Sequence, residues 1–227
     1  HFLNFYVDGT RALNPYMPYG YGFGRVMNFF ELPDKYSDFY LFHDDIPHGS
    51  VRMNYFYSET VGDWRTCWVY TPPKYEQNRD KRYPVFYLQH GGGEAESCWI
   101  WQGKINNIMD NLLADGQCEE MIVVLNCGYV YRKDGVVGTN PVASPVEDLI
   151  ANDCVPFIDK KYRTIADRHH RAVSGFSMGG GQTMNTVIKY PEVFANAGVL
   201  SAPGIRSDRE DKLGLLSDPV KFNENFD

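Results

Sequence analysis

The chain has 227 residues, enough for one domain with a sizeable core or one domain plus part of another. Hydrophobic residues make up 43% and charged residues 22%, and no apolar run approaches the roughly 18 to 20 residues that cross a bilayer, which argues against a membrane partner. The net charge of −7 and the lack of any basic cluster longer than Lys160-Lys161 leave no phosphate-binding footprint, so no nucleic-acid partner is expected.

Residues 1–45 alternate short aromatic runs with Asp8-Gly9, Asn14-Pro15 and a Gly/Tyr-rich turn. That punctuation predicts short strands and hairpins, and suggests the end of an all-β module. The sequence starts at His1, and its first ten residues have neither a basic nor an apolar segment of the signal-peptide kind, so an internal piece of a longer precursor is expected. Aromatics reach 15% of the chain. They read either as ordinary packing or as a platform for sugars or aromatic acyl groups.

From residue 46 the texture changes. "VRMNYFYS" and "RTCWVYT", separated by "ETVGDW", predict a hairpin, and strands then alternate with helices. "YPVFYLQ" (83–89) is an apolar run of a strand buried on both faces, ending at "HGGGE" (90–94). In "GKINNIMDNLLADG", Ile105, Ile108, Met109 and Leu112 stand at helical spacing, with Gly116 as the stop. "MIVVLNC" (121–127) is the next strand, and Ser144, Pro145 and Glu147 have the spacing of a capping box that opens a helix. "RAVSGF" (171–176) reads as a strand, "MGGGQTMNTVIKY" as a helix stopped by Pro191, and "NAGVLS" (196–201) as a further strand. Two meander strands followed by β-α-β-α-β predict an α/β fold with a mostly parallel sheet covered on both faces. The five cysteines form no C-x-x-C pair and no metal-ligand spacing, which favours buried free thiols and no metal.

"GFSMGGG" (175–181) carries a Gly-x-Ser-x-Gly pattern at the junction of a predicted strand and a predicted helix. A nucleophile elbow requires a turn so tight that Gly175 and Gly179 must leave room for neighbouring backbone, with Ser177 held out above the sheet. The helix beginning at Met178 aims unpaired N–H groups and its positive dipole end at the site, making Met178 N–H a candidate oxyanion donor. A second donor is expected from "HGGGE", with Gly92 first and Gly91 or Gly93 as alternatives. The rival reading is that these glycines only build tight turns.

The stretch from "PHGSVRMNYFYSETVGDW" through "YPVFYLQHGGGEAESCWIWQGKINNIMDNLLADG", with "DRHHRAVSGFSMGGGQTMN", resembles the esterase D-like carbohydrate esterases of family 1, which include feruloyl and acetylxylan esterases. The resemblance covers roughly residues 46–203. "FYVDGTRALNPYMPYGYGFGRVMNFFEL" is similar to the last strands of an immunoglobulin-like (E-set, glycogen-binding-module-like) domain that often precedes such esterases. The resemblance implies an α/β-hydrolase domain over residues 46–227 after a β-module remnant over 1–45. It also implies Ser177 as nucleophile, Met178 and a glycine of 91–93 as oxyanion donors, and Glu94, Trp99 and Gln102 near the acyl pocket, with Trp99 either a pocket wall or core packing.

In such a fold the serine is followed along the chain by an acid and then a histidine, yet this sequence has no histidine after residue 170. His169 and His170 begin the strand whose far end holds Ser177, on the order of 20 Å away at 3.3 Å per residue. His90 closes the third strand and is expected to orient the oxyanion loop. Only six of the usual eight strands are predicted, so the catalytic acid and base are expected beyond Asp227. Glu192, Asp208, Glu210, Asp211 and Asp218 come too early for the acid, and "RSDREDK" reads as a solvated loop.

The function expected is a secreted or periplasmic serine esterase without cofactor, acting on feruloylated or acetylated xylan, most plainly a feruloyl esterase. Acetylxylan and siderophore esters are the alternatives within enzymes. A truncated, non-catalytic carbohydrate-binding protein is the alternative outside them.

Overall fold

The computed structural model describes residues 1–130, 145–203, 211 and 213–226. The chain opens with five short strands, β1 (Phe2–Leu3), β2 (Phe5–Val7), β3 (Thr10–Ala12), β4 (Tyr19–Gly22) and β5 (Arg25–Phe29), which form a sheet of order β1-β5-β4 and a separate β2-β3 ribbon. Asp8 and Gly9 both have positive φ, as a two-residue hairpin turn that follows strand twist requires. The buried Asn28 amide bonds the carbonyls of Asn14, Met17 and Pro18, so one polar side chain fixes the connection between the two ribbons.

The main sheet contains β6 (Ser50–Ser58), β7 (Asp63–Thr71), β8 (Val85–Gln89), β9 (Ile122–Asn126), β10 (Arg171–Phe176) and β11 (Asn196–Leu200). Its order is β11-β10-β8-β9-β7-β6, with β8, β9, β10 and β11 parallel and β6 and β7 joined antiparallel at one edge. These strands follow the predicted ones closely.

The strand period of two splits their side chains between two cores. Ile122, Val124, Val85 and Tyr87 face one core, and Val123, Leu125 and Leu88 face the other. The second face is covered by α2 (Ile105–Ala114), whose Ile105 and Met109 enter that core after the single-turn α1 (Cys98–Trp101). α2 ends as predicted: Gly116, at φ 65°, donates to Leu113 O and Gln117 N–H donates to Leu112 O, the paired bonds of a glycine-terminated helix. The first face is covered by α3 (Val146–Asp148), a π-helical turn (Leu149–Cys154), α4 (Val155–Lys161) and α5 (Met178–Lys189).

The start of α3 differs from the capping-box expectation. Ser144 lies outside the described residues, and the helix opens at Val146 with Pro145 in the cap position and no side-chain cap bond. The π turn precedes Pro156, which cannot donate to the i−4 carbonyl, so the wider turn absorbs the missing bond. α6 (Pro219–Asn225) closes the described chain, capped by Asp218, which accepts from Val220 N–H and Lys221 N–H. Cys67, Cys98 and Cys154 are buried and Cys118 and Cys127 half-buried, all as free thiols, and burial raises the pKa of Cys98, Cys118, Cys127 and Cys154. "RSDREDK" lies outside the described residues apart from Asp211, which accepts Leu215 N–H and Leu216 N–H.

Candidate active site

Register places the site. Gly175 of β10 is level with Gln89 of β8, and Gln89 is level with Asn126 of β9. Two residues further on, the three neighbouring parallel strands deliver Ser177, Gly91 and Gly128 to the same edge of the sheet, the carboxyl edge at which open α/β sheets form their ligand crevices.

Ser177 sits at φ 54° and ψ −113°, a conformation that strains a residue with a Cβ, and its N–H donates to Leu200 O at 2.8 Å. The two motif glycines are dictated by space. A Cβ on Gly175 would stand 2.4 Å from the carbonyl carbon and oxygen of Gly179, and one on Gly179 would stand 2.6 Å from His90 O and 2.7 Å from Gln89 O. The elbow is therefore locked against the end of β8, from which the glycine loop departs.

That loop is pinned on each side of Gly92. Gly91 N–H donates to the Glu94 carboxylate at 2.8 Å, and Gly93 N–H donates to the Tyr129 hydroxyl. Among the described residues no acceptor is recorded for Gly92 N–H or for Met178 N–H, and a Cβ on Gly92 would lie 3.9 Å from Met178 Cβ. Gly92 is exposed while Met178 is 7% exposed, so the two amides share the rim of one crevice.

His90 lies beneath the loop, fully buried. Gly128 N–H donates to Nε2 at 2.9 Å, which places the ring proton on Nδ1, and Nδ1–H donates to Gly91 O at 2.8 Å. Burial lowers its pKa below the usual histidine range, consistent with a neutral ring that braces the loop. The same Gly128 accepts from the Gln182 amide of α5 at 2.9 Å, so elbow helix, glycine loop and the turn after β9 form one hydrogen-bonded unit.

The other expected site residues divide. Glu94 is at the site as the acceptor for Gly91. Trp99 donates its indole N–H to Gln89 O at 3.1 Å and is partly buried against the core beneath α2, which favours packing. Gln102, expected near the acyl pocket, bonds the N-terminal hairpin: its Oε1 accepts Tyr21 N–H at 2.8 Å and its Nε2 donates to Tyr21 O at 3.0 Å. One lone pair and one N–H of its amide are thus taken by the free edge of β4. Tyr129, Gln182 and Gly24, whose N–H donates to Gly93 O at 2.8 Å, are site residues that sequence reasoning missed. Position just past the carboxyl end of β9 is a signal that could have found Tyr129.

None of the six histidines is recorded in a hydrogen bond with Ser177 among the described residues. His169 and His170 sit in the single 3-10 turn before β10, at the opposite end of that strand, with His170 bonded to Asp167 at 2.8 Å. His48 bonds the buried Asp110 carboxylate, which also accepts from Tyr70 hydroxyl and Gly49 N–H. Among the described residues no cluster of three or more metal-ligating side chains is found, and no helix is long and apolar enough to cross a membrane.

The Esterase family profile matches residues 58–209, a span that holds Ser177, both motif glycines and the whole glycine loop. An endo-1,4-beta-xylanase/feruloyl esterase of Xylanibacter ruminicola is 38% identical over 205 residues, which is 88% of this chain and 28% of that protein. Endo-1,4-beta-xylanase Y of Acetivibrio thermocellus is 34% identical over 131 residues, 53% of this chain and 11% of that one. Among solved structures, a ferulic acid esterase superposes with a TM-score of 0.60 at 32% identity, covering 69% of this chain and 61% of its own. The ferulic acid esterase of Anaeromyces mucronatus, solved with ferulic acid, gives 0.67 at 24% identity over 76% of this chain and 64% of its own, a likeness of fold. The chain thus spans about a quarter of the first curated relative and under two thirds of these structures. On the profile match and the elbow within it, this chain belongs to the Esterase family, with the α/β-hydrolase fold.

Proposed function

We propose that the intact protein is a serine carboxylic ester hydrolase acting on plant cell-wall polysaccharide, releasing ferulate from xylan side chains. The observation that carries this is the meeting, at one sheet edge, of a strained serine with two unoccupied backbone donors, Met178 N–H and Gly92 N–H. The names of the relatives supply the acyl group.

In this reading Ser177 Oγ attacks the ester carbonyl carbon, and the developing oxyanion is held by the two N–H groups and by the positive end of α5. Collapse of the tetrahedral intermediate expels the sugar hydroxyl. Water then attacks the acyl-enzyme, and ferulate leaves. The serine needs a base within reach, and none of the six histidines is placed to serve. The reading therefore requires a histidine and its orienting carboxylate that the structure does not show beside Ser177 among the described residues.

The strands of residues 1–45 pair only among themselves, which fits a β-module docked on the glycine loop through Gly24 and Tyr21, and a polymeric substrate fits secretion or periplasmic export. The test is ferulate release from feruloylated arabinoxylan by the intact protein, together with fluorophosphonate labelling, each against Ser177→Ala. Ser177-dependent release and labelling are expected. Release that survives Ser177→Ala, or no release at all, overturns the proposal.

A further inference from the structure

The hairpin β4–β5 reaches the glycine loop directly. Its two-residue turn is Phe23-Gly24, and Gly24 N–H donates to Gly93 O at 2.8 Å. The fit is close: a Cβ on Gly93 would stand 2.7 Å from Gly24 N and 3.2 Å from Phe23 Cα. Gln102 fixes the hairpin by bonding both backbone groups of Tyr21 at the free edge of β4, and Gly20 leaves the space for that side chain. The tip is thus held one residue from the amide of Gly92.

Phe23 is an unusual residue for this place. It has φ 54°, at a turn position that Asn, Asp and Gly occupy without strain, yet its large ring is 77% exposed. Its recorded ring contact is the edge of Phe2, with centroids 6.0 Å apart. Packing therefore gives no reason for an aromatic here. Along the strand behind it, Tyr19 and Tyr21 also stand exposed on one face, and Tyr19 meets the half-exposed Trp101 edge-on. Tyr19 and Tyr21 share one face of β4, whereas the Phe23 ring at the tip turns toward Phe2, which packs on the Gly22 face, so the exposed ring next to the glycine loop is that of Phe23.

We propose that this hairpin is part of the ester site and that Phe23 is a specificity-determining contact for the sugar portion of the substrate. The inference rests on the ester-hydrolase reading above. A wall of an enclosed acyl pocket would be buried, whereas an exposed ring offers a flat apolar face to the C–H side of a sugar while its hydroxyls stay in water. Continuity with the glycine loop identifies the occupant as the polysaccharide that carries the scissile ester.

The experiment uses the intact protein with Phe23→Asn, which keeps a left-handed turn residue, and Phe23→Tyr, which keeps the ring. kcat/KM is measured on a feruloylated arabinoxylo-oligosaccharide and on methyl ferulate. The ratio of the two constants is expected to fall about 5- to 10-fold in Phe23→Asn, mainly through KM for the oligosaccharide, and to be restored in Phe23→Tyr. A ratio within about twofold of wild type in Phe23→Asn overturns the inference. Calorimetric titration of the same oligosaccharide into Ser177→Ala, with and without Phe23→Asn, separates the two readings. Phe23-dependent binding, when the protein that retains Ser177 hydrolyses neither ester, supports the hairpin contact while the hydrolase reading falls. Binding indifferent to Phe23 sinks the hairpin contact whatever the activity.

Discussion

Gly175→Ala adds one methyl group at the tightest point of the elbow. Its Cβ would meet the Gly179 carbonyl carbon and oxygen at 2.4 Å, against 3.4 to 4 Å for ordinary contact, so β10 and the start of α5 must separate by about 1 Å. The helix has little freedom to yield, because Gly179 already lies against the backbone of Gln89 and His90 and Gly180 against Leu200 O. Overpacking of this kind costs about 1 to 3 kcal/mol, and rigid backbone on both sides puts it near 3. At roughly 2 to 4 °C per kcal/mol for a chain of this size, Tm should fall by about 6 to 12 °C. The same shift moves Ser177 and Met178 N–H relative to Gly92, and a misplacement of about 1 Å costs on the order of 100-fold in rate. Thermal unfolding and the second-order rate of fluorophosphonate labelling, both on the intact protein, measure the two effects. Gly181→Ala is the control, since its nearest neighbour is a Pro203 ring carbon at 3.3 Å and the residue is inside a helix, where alanine is favoured. A Gly175→Ala protein that melts within about 2 °C of wild type and labels within about threefold refutes the account of the elbow.

Glu94→Ala removes the acceptor for Gly91 N–H and should slow labelling about 10-fold, a charge-assisted bond being worth about 1.5 to 3 kcal/mol, whereas Glu94→Gln keeps an acceptor and should lose less; parallel labelling rates decide. Tyr129→Phe deprives Gly93 N–H of its partner and should cost about 1 kcal/mol, read as a lower Tm. His90, buried and with its pKa lowered, binds a proton more readily in the unfolded chain than in the fold, so its contribution to stability is complete above its ordinary pKa of about 6.5 and declines as pH drops below it. Denaturant midpoints between pH 7.5 and 5 should show that decline, and His90→Gln, with no titrating ring, should flatten that part of the profile.

The strands were legible because a buried parallel strand has little choice. β9 is buried along its whole length, and its run of Ile, Val and Leu has no other stable setting. The elbow was legible for a related reason, since glycine at 175 and 179 is forced by backbone within 3 Å. Residues whose roles depend on distant partners were not. The bonds of Gln102 to Tyr21, 81 residues away, use a strand edge that no local pattern announces. Likewise the pairing of Gly24 with Gly93 joins two ordinary-looking turns.

Three successive glycines give the chain between β8 and α1 its close approach to the elbow, and also the greatest loss of backbone freedom on ordering, about 1 to 2 kcal/mol for each residue. An oxyanion donor must be fixed before the charge develops, so that freedom has to be removed by the fold. The contacts that remove it come from separate parts of the chain: Glu94 within the loop, His90 beneath it, Tyr129 after β9 and Gly24 from the N-terminal hairpin. The neutral bonds are each worth about 1 kcal/mol and the bond to Glu94 about 1.5 to 3, close to the cost of ordering one or two residues, so their sum roughly balances the loop without excess. Loss of any one should therefore affect the alignment of Gly92 before it affects the stability of the sheet, whose register is set independently by β8, β9 and β10. That separation is why, for residues around this loop, the labelling rate of Ser177 should respond more strongly than the modest changes in Tm.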